Sequence, residues 1–220
     1  MQQIQSTLIH KLISPRVSQD TKHPTLILLH GRGADENDLL GLAEYIDERF
    51  FIISVRAPFP FQFGGGYTWY DVLDVGSPEP KMFAESYTKL TQFLDDVRKG
   101  YSVDPEKVYL LGFSMGTIMS CAMLLTKPQF IAGVAANSGY VPENTDLKFN
   151  WNKLRGKEIF IAHGAHDPVI PVQLGRRALE LFKKTDAHVA YKEYPMGHQI
   201  SDESLRDMSL WLTQRLDGKD

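Results

Sequence analysis

The chain has 220 residues, 43% of them hydrophobic, with 24 Lys and Arg against 27 Asp and Glu and a net charge of −3. That length fits one domain over 1–220 better than two and is ample for a substantial core; the near balance of charge excludes the electrostatic footprint of a nucleic-acid or anionic-membrane binder and leaves a small molecule as the expected partner. One cysteine, Cys121, excludes an internal disulfide framework, and with no basic start, no leading apolar run and no stretch near the roughly 18 apolar residues of a membrane span, the expectation is a cytoplasmic protein, with which a homodimer is compatible.

Residues 7–13 alternate loosely and predict an edge strand. Thr25-Leu26-Ile27-Leu28-Leu29-His30 reads as a strand buried on both faces, and it ends at the turn Gly31-Arg32-Gly33. Leu39, Leu40, Leu42, Ala43 and Ile46 follow helical spacing, and Phe50 to Val55 gives another buried strand. From Ala57 to Lys81 no period is sustained. This stretch holds Pro58, Pro60, Pro78, Pro80 and Gly64-Gly65-Gly66, yet also Phe59, Phe61, Phe63, Tyr67, Trp69 and Tyr70. Such aromatic density argues against disorder, so the segment is expected to form a wall or lid over a site.

A helix follows over about 83–101, with Tyr87, Leu90, Phe93, Leu94 and Val97 on one face. Val108 to Leu111 is a buried strand, 117–125 a helix, and 131–135 and 159–162 short strands. The chain closes with a helix over 171–184, a strand over 189–194 and a helix whose buried stripe is Leu205, Met208, Leu212 and Leu216. Strands alternating with helices along the whole length predict an α/β fold: a doubly wound, mostly parallel sheet with helices on both faces, its ligand site beyond the carboxyl ends of the strands.

Gly112-Phe113-Ser114-Met115-Gly116 sits between such a strand and such a helix. This is the setting of a nucleophile elbow, in which flanking glycines relieve crowding at a sharp reversal and the serine hydroxyl is pushed out above the sheet. A serine needs a base to take its proton, and the base needs an acid to fix its tautomer. In this architecture the order along the chain is Ser, then Asp or Glu, then His, each in a loop after a strand. His198 lies between the last strand and the last helix; His188 is at the wrong end of that strand, and His163 and His166 precede the acid too closely. Asp167 lies between a strand and a helix, where it also suits a turn or an N-cap. The oxyanion donors expected are the backbone N–H of Met115, at a helix start, and that of Arg32, in a turn where Gly31 and Gly33 let the backbone approach a substrate closely.

Other readings are weaker. Gly31-Arg32-Gly33 lacks the third glycine of a dinucleotide turn, having Glu36 in its place, where a carboxylate repels pyrophosphate. His163, His166 and Asp167 form no complete metal set, and Cys121 reads as a packed core residue. Neither cofactor nor metal is expected.

Leu29-His30-Gly31-Arg32-Gly33-Ala34-Asp35, Gly112-Phe113-Ser114-Met115-Gly116, Gly164-Ala165-His166-Asp167-Pro168-Val169 and Gly197-His198 together resemble the phospholipase/carboxylesterase family of small α/β-hydrolases, which contains bacterial carboxylesterases and acyl-protein thioesterases. The resemblance spans nearly the whole chain. It implies an α/β-hydrolase fold with a minimal cap, hydrolysis of carboxylic or thioesters without a cofactor, and a Ser114, Asp167, His198 triad. Trp69-Tyr70-Asp71 resembles the family's loop beside the substrate, making Trp69 a candidate pocket residue. Met115 and Thr117 stand where the thioesterase branch usually has Gln and Gly, and Arg32 where it usually has Leu. These departures favour a general esterase for short to medium acyl groups over an acyl-protein thioesterase or lysophospholipase. The competing class is a non-catalytic small-ligand binder on the same fold.

Overall fold

In the computed structural model, which describes residues 2–17 and 21–218, the buried apolar runs become neighbours in one seven-stranded sheet; Met1, the first residue of the amino-terminal stretch, lies outside the described residues. The strands are β1 (His10–Ile13), β2 (His23–Leu29), β3 (Phe51–Val55), β8 (Val103–Phe113), β9 (Gly133–Asn137), β10 (Glu158–Gly164) and β11 (His188–Tyr194), with order β1-β3-β2-β8-β9-β10-β11. Only β1, at the edge, runs antiparallel to its neighbour in this sheet. All parallel strands therefore end on one side, and the loops carrying Arg32, Ser114, Asp167 and His198 share a rim.

Alternation along β2 explains the two layers of helix. Ile27 and Leu29 enter one core with Leu90 and Phe93 of α1 (Pro80–Gly100), Ile118 and Met119 of α2 (Met115–Thr126) and Phe182 of α3 (Val172–Phe182). Leu26 and Leu28 face the other way, onto Met208, Trp211 and Leu212 of α4 (Asp202–Asp217). A strand covered on both faces has no use for polar positions, which is why its sequence is unbroken by them.

Several boundaries differ from the sequence expectation. Residues Asp38–Glu44 form a 3₁₀ helix closed by Tyr45 N–H to Leu42 carbonyl at 3.0 Å; Gly41 within it weakens any α-helical preference. β8 starts at Val103, across Pro105, because its pairing with β2 shifts register between His23 and Thr25 and so tolerates a residue without an N–H. β9 lies two residues later than expected and ends at Asn137, beside the elbow. The aperiodic segment 57–81 folds as two small antiparallel ribbons, β4 (Phe59–Pro60) with β5 (Tyr67–Thr68) and β6 (Val72–Asp74) with β7 (Ser77–Pro78). The first is tied to the turn after β2, with Gly33 N–H on the Tyr67 carbonyl at 2.8 Å and Tyr67 N–H on the Ala34 carbonyl at 2.7 Å.

Where α2 leaves the sheet, it passes so close to β2 that a Cβ on Gly116 would lie 1.8 Å from the Leu29 carbonyl oxygen. That atom is backbone and cannot swing aside. Gly116→Ala is expected to lower unfolding free energy by about 3 kcal/mol or more, measured as a fall in the urea midpoint at unchanged slope.

Candidate active site

Ser114 sits between β8 and α2 with φ 55° and ψ −118°, a conformation that L residues rarely adopt. Surrounding contacts impose it. Ser114 N–H donates to the Asn137 carbonyl at 3.0 Å, and the Ser114 carbonyl accepts from Ile118 N–H at 3.2 Å. The Thr117 hydroxyl lies 2.8 Å from the Gly112 carbonyl and 2.7 Å from that of Asn137, and it accepts from Asn137 N–H at 2.9 Å. The Asn137 amide nitrogen donates to the Gly112 carbonyl at 3.1 Å. Strand end, helix start and neighbouring strand are thus clamped together. Gly112 is required because a Cβ there would meet Thr117 N at 2.4 Å. The sequence assigns no structural role to Thr117 or Asn137, since neither belongs to the pentapeptide's glycine pattern.

His198 and Asp167 reach the serine from the two loops at the adjoining strand ends. His198 Nε2 is 3.0 Å from Ser114 Oγ and His198 Nδ1 is 2.7 Å from Asp167 Oδ2. The Nδ1–H donates to the carboxylate, which leaves the Nε2 lone pair facing the hydroxyl. Asp167 fills its turn role as well, with Oδ1 accepting from the amides of Val169 at 2.8 Å and Ile170 at 2.9 Å. Burial pushes its carboxyl up, but the hydrogen bonds from His198 and these amides outweigh that and hold it below its ordinary range. The two loops touch through Gly164, where a Cβ would stand 2.2 Å from the Gly197 carbonyl oxygen. His166 N–H also donates to the Met196 carbonyl at 3.1 Å.

The remaining candidates fall into place around this chain of hydrogen bonds. His188 lies at the far end of β11, exposed and paired with Glu158 at 2.8 Å. His163 is buried, with Nε2 donating to the Ile170 carbonyl at 2.8 Å, so it braces the Asp167 loop. Burial pushes the Cys121 thiol up to about 12. Glu36 is buried and pairs with Arg56 at 2.5 Å. No cluster of His, Cys, Asp and Glu among the described residues has the arrangement to hold a metal ion.

The turn after β2 lies against the serine, since a Cβ on Gly31 would meet that of Ser114 at 3.3 Å. His30 fixes this turn. Its Nδ1 donates to the Gly31 carbonyl at 2.6 Å and its Nε2 accepts from Ala57 N–H at 3.0 Å, and burial lowers its pKa so that the ring stays neutral. In a trans peptide the carbonyl and the next N–H point opposite ways, so anchoring the Gly31 carbonyl turns the Arg32 N–H away from the His30 ring. Gly33, at φ +81°, packs on Phe61 and lies outside the cavity lining.

A cavity of about 190 Å³ opens beside Ser114, bounded by Arg32, Tyr70, Met115, Ile118, Tyr140 and residues of the β6–β7 ribbon. Trp69 is not part of its wall. The ring is fully buried, and its Nε1–H donates to the His30 carbonyl at 2.9 Å, so it supports the turn from behind while Tyr70 takes the wall position expected of it. The Arg32 guanidinium lies 5.5 Å from the Phe61 ring centroid. A larger cleft of about 330 Å³, between the start of α1 and residues 143–147, contains none of the hydrogen-bonded chain.

The phospholipase/carboxylesterase family model matches residues 13–216. The probable carboxylesterase SOBER1-like of Arabidopsis thaliana is 30% identical over 155 residues, 68% of this chain and 59% of that protein. Acyl-protein thioesterase 1 of Candida albicans is 28% identical over 204 residues, 83% of this chain and 88% of that protein. The crystal structure of the Bacillus cereus carboxylesterase superposes with a TM-score of 0.83 at 26% identity, covering 94% of each chain.

Because the folded Asp167 carboxyl lies below its unfolded value, it adds stability that is present above the usual carboxylate range and lost as pH falls through the folded pKa. Asp167→Asn keeps an oxygen for the two loop amides and removes the charge beside His198. The variant's Tm is expected to be lower than that of the unaltered protein at neutral pH, with the gap closing as pH drops below about 4. A gap independent of pH in thermal scans contradicts the assignment of that charge.

Proposed function

The chain belongs to the phospholipase/carboxylesterase family and is an ester hydrolase, and we propose that it works through a Ser114, His198, Asp167 triad and an acyl-enzyme. The observation that carries this reading is the unbroken hydrogen-bonded chain from Asp167 through His198 to Ser114, 2.7 Å and 3.0 Å long at its two links. Ser114 Oγ attacks the ester carbonyl as His198 Nε2 takes its proton; His198 then protonates the departing alcohol, leaving an acyl-serine. Water, deprotonated by the same nitrogen, releases the acid. Asp167 keeps the imidazole oriented and stabilises its positive charge during each step.

Charge building on the carbonyl oxygen is received by the N–H of Met115, at the start of α2, and by the N–H of Arg32. Two such fixed donors are typically worth several kcal/mol each in the transition state. The anchored Gly31 carbonyl and the close fit of Gly31 to Ser114 support this role for the Arg32 amide.

The substrates are small carboxylic esters. A cavity of about 190 Å³ falls below the roughly 300–1,000 Å³ of pockets for drug-sized ligands, which favours short to medium acyl groups over a fatty chain. Among the described residues no helix is long and apolar enough to cross a membrane. The single buried cysteine fits a reducing compartment, and we place the protein in the cytoplasm.

Ser114→Ala is expected to lose at least about 10³-fold in kcat and all labelling by a fluorophosphonate probe. Labelled wild-type protein excludes the non-catalytic binder; folded, unlabelled protein that still binds small molecules supports it. Asp167→Asn should cut kcat by roughly 10³-fold or more, and unchanged turnover removes Asp167 from the triad. Across p-nitrophenyl esters from acetate to palmitate, kcat/KM should peak at short to medium chains.

A further inference from the structure

The cavity beside Ser114 is more polar than a short alkyl chain requires. Val72, Val75, Ile118 and Ile170 make an apolar wall, but Arg32, Tyr70 and Tyr140 also reach it, and no Asp or Glu does. The Tyr70 hydroxyl is sealed from water, and its side-chain hydrogen-bonding neighbour among the described residues is the Tyr140 hydroxyl.

Its electrostatic neighbours are the Tyr140 phenol and the Arg32 guanidinium, both belonging to the same cavity. Burial raises the pKa of each phenol, so both keep their protons at physiological pH. The Tyr140 oxygen is approached by the Tyr70 hydroxyl and the Gly76 backbone, which leaves the Tyr140 proton free to be donated. A phenol donor and a guanidinium thus meet in a cavity whose lining carries no carboxylate. The complement of that corner is an oxygen acceptor carrying negative charge.

We propose that the cavity selects esters whose short acyl chain ends in a carboxylate, bound by the side chains of Tyr140 and Arg32, with Tyr70 behind Tyr140, while Ser114 attacks the ester carbonyl at the other end. This rests on the esterase reading given above and adds the substrate class. A five-carbon diacid monoester places three methylenes between the reacting carbonyl and the carboxylate and serves as the probe. The reaction itself stays ordinary ester hydrolysis, consuming one water and releasing the alcohol and the diacid.

The test compares kcat/KM for monoethyl glutarate, ethyl 5-oxohexanoate and ethyl hexanoate, followed by acid release. Monoethyl glutarate should exceed ethyl hexanoate by roughly tenfold, with the neutral oxo ester between them. Tyr140→Phe should reduce the glutarate-to-hexanoate ratio by about tenfold. Independently of any variant, glutarate should inhibit the unaltered protein with a Ki roughly tenfold below that of hexanoate.

Equal or lower rates for monoethyl glutarate, a ratio unmoved in folded Tyr140→Phe protein, or glutarate inhibiting no better than hexanoate overturns the proposal. An oxo ester as fast as the glutarate ester overturns the carboxylate assignment. Hydrolysis of all three esters without preference defeats this inference alone, whereas no hydrolysis of any and no fluorophosphonate labelling of Ser114 defeats the esterase reading with it.

Discussion

The backbone of Ser114, at φ 55°, is the constraint on which the rest of the molecule is arranged. An L residue in that region is strained by about 1–3 kcal/mol and stays there only when its surroundings leave no alternative. Here the surroundings are a buried parallel sheet and a buried helix that would otherwise collide. Gly112 and Gly116 allow the two backbones to approach within the distance that a Cβ would occupy. Thr117 and Asn137 then tie the reversal to the adjoining strand. The strain is therefore held by the core, and the hydroxyl is presented at the rim without depending on a mobile loop.

Because all parallel strands end on that rim, the other functional loops need only short connections to reach it. The Asp167 loop leaves β10 and the His198 loop leaves β11, neighbours in the sheet, and Gly164 lets them pack backbone to backbone. Asp167 serves two ends at once. One carboxylate oxygen closes its own turn on the Val169 and Ile170 amides, while the other is left for His198. Turn former and charge partner are the same side chain. The two readings of this residue that compete in sequence are complementary in the fold.

The opposite wall is built by a different device. The long segment after β3 has little regular structure of its own, and it is held down by backbone hydrogen bonds to the turn after β2 and by the Trp69 indole on the His30 carbonyl. A cavity wall made this way is fixed at its root, through Trp69, and displays Tyr70 to the site. The residue that anchors and the residue that faces the ligand are adjacent in sequence.

The sequence alone located the strands of the central sheet, though not all their bounds, and put Ser114, Asp167 and His198 in loops after strands, because each depends on local information: an unbroken apolar run marks a strand buried on both faces, and a loop after such a strand lies on the ligand side whatever its neighbours are. Only the tertiary structure decided what depends on contacts between distant segments. The 57–81 stretch has no period from which to read its facing, so which of Trp69 and Tyr70 lines the cavity follows from pairing Tyr67 with Gly33 and Ala34, more than thirty residues earlier. Thr117 and Asn137 likewise look unexceptional in the chain and acquire their role when β9 comes to lie beside β8. The meeting of Arg32, Tyr70 and Tyr140 has the same origin. Three donors drawn from three loops have no signature in one dimension, since their shared property is a place in space.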